Sequence, residues 1–367
     1  MPDGFPPSKT IRDTAGLLAR AWAEPGVLDG VAERYAVAIT PAVQALIDTP
    51  DDPVGRQFVP HPDELRTLPH ESADPIGDAA HSPVPGIVHR YADRALLTPL
   101  LACPVYCQFC FRRESVGPGG GVLTDAQLDT AYAWLRGQPA VTEVILTGGD
   151  PLMLSARRLR AILSSLAAIP HIRTLRIHSR VPCVDPGRVD DALCDALAAV
   201  ATNADGPSLW VVLHANAARE FTPAAHGALR RLHRAGASLL GQSVLLRGVN
   251  DSPAALEALL RAMVAAGVKP YYLHQLDPAP GTARFHVPLA EGQAILRALR
   301  GRVTGLAWPT YVLDIPGGHG KVPVGPDYLR DGRVADPAGR LHALDGTDPR
   351  ALDGTDPHVL DGTDPTV

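Results

Sequence analysis

Lysine is scarce in this chain of 367 residues, where it occurs three times, at Lys9, Lys269 and Lys321, against 31 arginines. Any chemistry that needs a lysine amine therefore has few candidates. The sequence also has no apolar run near the roughly 18 residues of a membrane span. Its N-terminus lacks the charged and then apolar segments of a secretory signal peptide. We therefore expect a cytoplasmic protein.

A basic excess is missing as well. The formal net charge is −5, and the six aspartates and one arginine of the last 24 residues account for all of it. The balanced remainder argues against a protein that binds nucleic acid or an anionic membrane. The tail holds three copies of LDGTDP, which start at Leu344, Leu352 and Leu360. Its Gly, Pro and Asp content favours a flexible tail over residues 331–367 rather than a cation site.

Segments typical of strands alternate with amphipathic helical segments through the middle of the chain. The candidate strands are residues 95–101, 143–147, 174–179, 209–214, 238–246, 270–276 and 310–315. This alternation predicts an α/β fold with right-handed βαβ units and a parallel sheet, arranged as a partial (β/α)6-type barrel. The active site should lie at the carboxyl ends of the strands. We predict a helical and loop appendage over residues 1–80 and the barrel over residues 81–330.

The cysteines point to a metal cluster. There are only five, an odd number that argues against a disulfide scaffold. Three of them, Cys103, Cys107 and Cys110, lie within CPVYCQFC, directly after the first predicted barrel strand. Three thiolates on one loop could hold three irons of a [4Fe–4S] cluster and leave the fourth iron open to a ligand. A structural zinc site would need a second cysteine pair, which the sequence lacks.

Two glycine-containing segments also follow predicted strands. Gly148, Gly149 and Asp150 end the second strand, where glycines allow close approach to a ligand and a carboxylate suits an ammonium group. Lys321 follows the last strand in DIPGGHGK, at the predicted catalytic end, whereas Lys269 begins a strand at the opposite end. Lys321 is therefore the candidate for the Schiff base of pyridoxal phosphate (PLP). A phosphate-loop lysine or a plain surface lysine is the alternative.

Together these motifs resemble the radical S-adenosylmethionine (radical SAM) superfamily and, within it, the lysine 2,3-aminomutase family. CQFCFRR, LTGGDPL, GQSVLLRGVND, YYLHQLD and DIPGGHGKVPV occur in the order of the family motifs over roughly residues 80–330. No cysteine follows Cys194, and the chain is short. In these respects it is most similar to the branch that supplies β-lysine for the modification of elongation factor P.

The resemblance implies roles for individual residues. The cluster would be held by Cys103, Cys107 and Cys110, and S-adenosylmethionine would be bound by Gly148, Gly149, Asp150, His214 and Gln242. PLP would be held by Lys321, Arg90, Tyr91 and Arg94. The substrate carboxylate would pair with Arg112, and its ε-ammonium with Asp277 and Asp314. Two residues depart from the family pattern, His274 in place of a tyrosine and His319 in place of a glycine.

The activity implied by the resemblance is that of an isomerase, an intramolecular aminotransferase that interconverts L-lysine and β-lysine. Its cofactors would be a [4Fe–4S] cluster, S-adenosylmethionine and PLP. Its partners would be an amino acid substrate and an electron donor of flavodoxin or ferredoxin type, in a homo-oligomer (dimer or tetramer), with no nucleic acid or membrane. Three alternatives stay open: the same chemistry on another amino acid such as arginine, a radical enzyme that modifies nucleic acid, and an iron–sulfur redox sensor.

Overall fold

The computed structural model describes residues 9–330 and 333–343. Nine strands form one sheet, in sequence order: β1 Ile87–Tyr91, β2 Arg94–Leu100, β3 Glu143–Gly148, β4 Thr174–Ser179, β5 Ser208–His214, β6 Ser238–Val244, β7 Lys269–His274, β8 Thr310–Asp314 and β9 Lys321–Pro323. Strands β2 to β8 are parallel, each paired with its neighbour in the sequence, and β1 and β9 are antiparallel edge strands. The seven predicted strands are therefore confirmed.

Helices connect the parallel strands. The α-helices are α1 Thr14–Leu18, α2 Asp29–Arg34, α3 Pro41–Gln44, α4 Gly55–Phe58, α5 Asp125–Arg136, α6 Ala156–Ala167, α7 Val181–Val184, α8 Asp191–Ala201, α9 Pro223–Arg234, α10 Pro253–Ala265 and α11 Leu289–Leu299. Helix α5 begins with a capping box between Thr124 and Gln127, in which each side chain accepts a hydrogen bond from the other residue's backbone N–H. In the described part of the chain, no helix has the length and apolar character needed to span a membrane.

The sheet curls into a partial barrel whose two edges approach each other. The backbone N–H of Lys321 on β9 donates to the hydroxyl of Tyr91 on β1, at 2.7 Å. Side chains alternate between the two faces of each strand. On β4, Leu175 and Ile177 pack in the core between sheet and helices. His178 lies on the inner face, where burial and nearby charges, that of Lys321 among them, lower the pKa of its ring. The sheet therefore collects polar side chains inside the barrel, at the carboxyl ends of its strands.

The N-terminal appendage packs against the loop that carries the three cysteines. Leu17, Val31 and Phe58 share a core with Val105, which lies between the first two cysteines of that loop. The appendage also contributes Glu64, a fully buried carboxylate that pairs with Arg113 and, at 3.2 Å, with Arg284. These contacts fix the cysteine loop from the side opposite to the sheet.

Strands β1 and β9 and a small C-terminal sheet have no counterpart in the sequence prediction. The small sheet pairs β10 Leu329–Arg330, β11 Arg333–Ala335 and β12 Leu341–Ala343 in antiparallel fashion, where we expected a flexible tail from residue 331. All of these strands are short, and β9 is an edge strand that ends in proline, so they lack the long apolar pattern of buried strands. The three LDGTDP repeats lie outside the described residues.

Candidate functional site

The cysteine loop follows directly from the end of β2 and is held there by β3. Gly148 adopts a φ of +100°, and a Cβ on Gly149 would collide with the backbone of Ala102. This close approach allows the N–H of Gly149 to donate to the carbonyl of Leu100 at 2.8 Å. The two glycines therefore allow close packing of the chain against itself, immediately before Cys103.

The three thiols of the loop lie close enough together to influence one another's pKa values. Burial raises the pKa of Cys103 well above its usual value, with further increases from the charges of Asp150, Cys110 and Cys107. Burial also raises the pKa of Cys110, to about 11. Iron binding must displace these protons, so loading of the site should release acid. In residues 9–330 and 333–343, no three His, Cys, Asp or Glu side chains converge as ligands of a single metal ion. A cubane contacts each cysteine through a different iron and so fits more widely spaced thiols.

A buried arginine that the sequence did not indicate contacts the second cysteine. Arg180, directly after β4, donates to Cys107 Sγ at 3.0 Å and to Glu220 Oε2 at 2.6 Å. The other oxygen of Glu220 accepts from the N–H groups of Asn216 and Ala217, at 2.8 and 2.9 Å. Burial raises the pKa of Cys107 and the charge of Arg180 opposes this, so the arginine favours the thiolate that a cluster needs. No spacing pattern in the sequence links Arg180 to Cys107, because the two residues meet only in the folded chain.

Replacement of Arg180 by glutamine should destabilise the fold strongly. The variant leaves the Glu220 carboxylate, of which 2% is exposed, without its ion-pair partner. Loss of one member of a buried ion pair costs about 3–5 kcal/mol. Urea unfolding of the cluster-free protein measures this. The matched control is Arg231→Gln, which breaks the pair with the 93%-exposed side chain of Asp191 and should leave stability near wild type. Equal effects of the two variants would contradict the structural role of Arg180.

Asp150 accepts hydrogen bonds from the chain beyond the ends of β3 and β4. One of its oxygens accepts from the backbone of Leu152 at 3.1 Å, and the other from Ser179 Oγ and the N–H groups of Arg180 and Val181. The carboxylate is buried, and only one of the four bonds goes to Oδ1, which keeps a further accepting position. Asp150 caps a short 3-10 helix, Pro151–Met153, and connects the ends of β3 and β4. Its predicted contact with an ammonium group stays a prediction.

His214, the last residue of β5, lies beside Gln242 of β6. They are direct partners in the register of the two strands. Burial lowers the pKa of His214 well below its usual value, with a further decrease from the charge of Arg180. Among the described residues its Nε2 has no hydrogen-bond partner. The ring stacks edge-on against Phe109 of the cysteine loop, with 5.7 Å between centroids. A neutral ring nitrogen therefore faces the space beside the cysteines.

Lys321 is the first residue of β9, not a loop residue as predicted, because the glycines at 317, 318 and 320 turn the chain back with positive φ. The resulting hairpin places Lys321 directly opposite Asp314. Its Nζ donates to Asp314 Oδ2 at 2.5 Å and lies 3.1 Å from His274 Nδ1. In contrast, Lys269 Nζ donates to two backbone carbonyls at the other end of the barrel, as expected.

The two predicted substrate carboxylates have opposite pKa shifts. Burial alone would raise the pKa of Asp314, but the proximity of His274, at 3.7 Å, and the charge and hydrogen bond of Lys321 lower it to about 2. Burial and the charge of Asp314 raise the pKa of Asp277 to about 7, although Lys321 and Arg112 oppose this. Among the described residues, Asp277 Oδ1 is buried without a hydrogen-bond partner. An arriving cation would therefore find one ionised carboxylate and a second that ionises in its presence.

Two of the predicted anion-binding arginines, Arg90 and Arg112, donate hydrogen bonds to a carboxylate that the sequence did not indicate. Asp78 accepts from Arg112 Nη2 at 2.6 Å and from Arg90 Nη2 at 3.1 Å. The guanidinium of Arg94 stacks 3.8 Å from the ring centre of Tyr91. Arg112, Lys321 and His274 all lower the pKa of the buried His178, so they lie near one another inside the barrel. The pair of carboxylates, Asp277 and Asp314, is close to the same cations.

Comparisons with known proteins identify the family of this chain. Residues 97–260 match the model of the radical SAM superfamily, and residues 296–333 match that of lysine-2,3-aminomutase. An L-lysine 2,3-aminomutase of Fusobacterium nucleatum is 38% identical over 81% of this chain and 69% of its own length. The corresponding figures are 39%, 80% and 70% for that of Acetoanaerobium sticklandii, and 41%, 75% and 78% for that of Escherichia coli.

Among solved structures, a radical SAM methyltransferase from Sphaerobacter thermophilus matches 62% of this chain and 68% of its own, with 22% identity and a TM-score of 0.42, too low to add weight. The sequence relatives suffice, because each shares more than a third of its residues over more than two thirds of its length. Membership implies S-adenosylmethionine and a [4Fe–4S] cluster, and it predicts an isomerase. The chain belongs to the lysine 2,3-aminomutase family of radical SAM enzymes.

Proposed function

We propose that this protein is a PLP-dependent enzyme that interconverts L-lysine and β-lysine by migration of the amino group from C2 to C3. The observation that carries the proposal is the ammonium-binding geometry of Asp314 and Asp277. The ammonium of Lys321 already lies 2.5 Å from Asp314, so this pocket accepts an alkylammonium ion. Asp277 adds a buried oxygen that has no partner among the described residues.

The residues fit the three cofactors as follows. The thiols of Cys103, Cys107 and Cys110 suit a cluster with an open iron, and Phe109 and His214 border the space beside it. For PLP, Lys321 supplies the amine, and Tyr91 lies within hydrogen-bonding distance of its backbone. Arg90 Nε is buried without a partner in the described part of the chain, which suits a phosphate. When bound, these groups supply the radical and the electron-accepting ring; the protein places the substrate and excludes competing reactions.

The substrate would lie between Arg112 and the two carboxylates. Arg112 donates Nε and Nη2 to one oxygen of Asp78, at 3.1 and 2.6 Å, which leaves Nη1 for a carboxylate of the substrate. Asp314 and Asp277 would take the ε-ammonium. With PLP held by Lys321, the lysine would no longer carry its ammonium charge beside Asp314, and the ε-ammonium of the substrate could take that place. Asp314 would then keep a cationic partner in both states.

Binding of the ε-ammonium should depend on pH through Asp277. Its pKa of about 7 means that the carboxyl group is largely protonated below neutral pH. The substrate ammonium needs the carboxylate, so affinity should rise with pH, by about tenfold per unit below pH 7, and level off above it. Calorimetry with 6-aminohexanoate, which is lysine without its α-amino group, measures this on the PLP-loaded protein. Asp277→Asn should remove the dependence; a wild type without it would contradict the assignment.

The PLP assignment is tested by trapping. Incubation of the full-length protein with PLP, reduction with borohydride and peptide mass spectrometry should place the label on Lys321. The scarcity of lysine makes the labelled position easy to identify, because Lys9 and Lys269 are the only other lysines in the chain. Label on either of those residues, or on none, would refute a PLP role for Lys321.

Further parts of the proposal rest on the resemblance of the motifs. The β-lysine would serve the modification of elongation factor P, and the cluster would receive electrons from a flavodoxin or ferredoxin. The enzyme would act in the cytoplasm as a homo-oligomer.

A further inference from the structure

His274 and Asp314 are the two side chains that contact the amine of Lys321. Nζ lies 3.1 Å from His274 Nδ1 and 2.5 Å from Asp314 Oδ2, and the two acceptor atoms are 3.7 Å apart. The contact follows from strand register, because β8 lies between β7 and β9 and pairs with both. The imidazole is largely enclosed, with 18% of its side chain exposed. The mechanism implied for the site gives this histidine no task.

Lys321 must lose a proton before its nitrogen can attack a carbonyl carbon. Asp314 is a poor acceptor for that proton, because its carboxyl pKa is about 2. Burial and the charge of Lys321 lower the pKa of His274, and the nearby carboxylate of Asp314, 3.7 Å away, opposes this. The ring is therefore neutral at physiological pH, with Nδ1 free to accept. The titratable groups that face it are Lys321 on β9, Asp314 on β8, His178 on β4, His214 on β5 and Tyr272 on its own strand.

We propose that His274 is the base that takes a proton from the Lys321 ammonium when the lysine bonds to PLP, an inference that rests on the proposed function. Lys321 gives one proton to Nδ1, and its lone pair forms the new C–N bond to the aldehyde carbon. The C–O bond breaks, and the oxygen leaves as water with one proton from the nitrogen and the one held by His274. The charges balance, no oxidant or reductant is needed, and His274 is restored. Asp314 stays ionised throughout and orients the amine.

The first test follows PLP bonding on the cluster-free, full-length protein by stopped-flow absorbance of the Schiff base. His274→Asn keeps an acceptor for the lysine N–H but cannot take the proton. We expect it to react at least about tenfold more slowly than wild type at pH 7, and to reach the same final occupancy. In His274→Ala, added imidazole should restore the rate, whereas it should not accelerate wild type. The control is His171→Asn, which removes a histidine 3.1 Å from the Leu135 carbonyl, outside the site.

The second test does not involve PLP. Reductive methylation with formaldehyde and cyanoborohydride, read by peptide mass spectrometry, compares Lys321 with Lys9 and Lys269 in the same sample. His274→Asn should slow labelling of Lys321 alone. His274→Gln, with matched thermal melting curves, replaces the asparagine variant if that variant fails to fold.

The outcomes separate this inference from the proposed function. Unchanged rates in His274→Asn, or a slow His274→Ala that imidazole does not rescue, would overturn the role of His274 as a base. If wild type forms no bond with PLP but His274→Asn slows formaldehyde labelling, the proposed function fails, while proton transfer from Lys321 to His274 stands.

Discussion

Lys321→Ala should lose aminomutase activity by at least about a thousandfold, which corresponds to about 4 kcal/mol of barrier height. The variant lacks the amine that would bond to PLP and hold it beside Arg90 and Tyr91. It also removes the cation that keeps the pKa of Asp314 at about 2. The contribution of Asp314 to stability, present above its unfolded pKa near 4 and lost as pH falls toward 2, should therefore shrink. Activity assays and pH-dependent melting curves measure the two effects.

Two matched variants separate the loss of the bond to PLP from the loss of the positive charge beside Asp314. Lys321→Arg keeps a cation opposite Asp314 but cannot form a Schiff base, so it should retain the stability and still lack activity. Lys269→Arg changes a lysine whose Nζ donates only to the carbonyls of Pro270 and Trp308 among the described residues, and it should remain active. Retention of activity by Lys321→Ala, with PLP bound elsewhere, would remove Lys321 from the mechanism.

Asp314→Asn should lower kcat/KM for lysine by roughly 150- to 5,000-fold, while iron content and PLP occupancy stay near wild type. The substitution removes one of two carboxylates around the ε-ammonium at a position where 8% of the residue is exposed. A buried cation that loses a partner costs about 3–5 kcal/mol, which converts to that range. Steady-state kinetics on the reconstituted enzyme, with iron and PLP assayed in the same preparations, measure the effect.

Norleucine, the lysine analogue without the ε-amino group, provides the internal control for Asp314→Asn. Wild type should discriminate strongly against it, because the buried carboxylates would be left unpaired. In Asp314→Asn this discrimination should shrink. The matched variant Asp191→Asn alters a 93%-exposed carboxylate and should behave as wild type. Asp314→Asn with wild-type turnover of lysine would show that the ε-ammonium binds elsewhere.

The parallel strands could be predicted from the sequence because each is a short apolar run between amphipathic helices. Once the strands were located, residues near their ends, such as His214, Gln242 and Asp314, followed as candidate site residues. In the structure His214 and Asp314 end their strands, and Gln242 lies two residues before the end of β6. The hairpin that carries Lys321 could not be predicted in this way. Strand β9 has three residues at a sheet edge, and tertiary pairing with β8, not local propensity, forms it.

The sequence could not indicate the roles of three further residues, Asp78, Arg180 and Glu220, for a different reason. Each acts on a residue distant in the chain: Asp78 on Arg112, and the buried pair on Cys107. Such contacts leave no spacing pattern, since they depend on how loops meet at the end of the barrel. At Asp150 the motif predicted ligand binding, and the structure adds a structural task, because the carboxylate receives four hydrogen bonds from the protein.

The most direct test of the central claim is turnover by the reconstituted protein under anaerobic conditions. S-adenosylmethionine, PLP and dithionite are supplied with lysine, arginine or glutamate in separate reactions, and the amino acids are derivatised and analysed by mass spectrometry. The account predicts β-lysine from lysine, with no β-amino acid from arginine or glutamate. Formation of 5′-deoxyadenosine without β-lysine, or of a β-amino acid from arginine instead, would contradict the assignment of Asp277 and Asp314 as the lysine-binding pair.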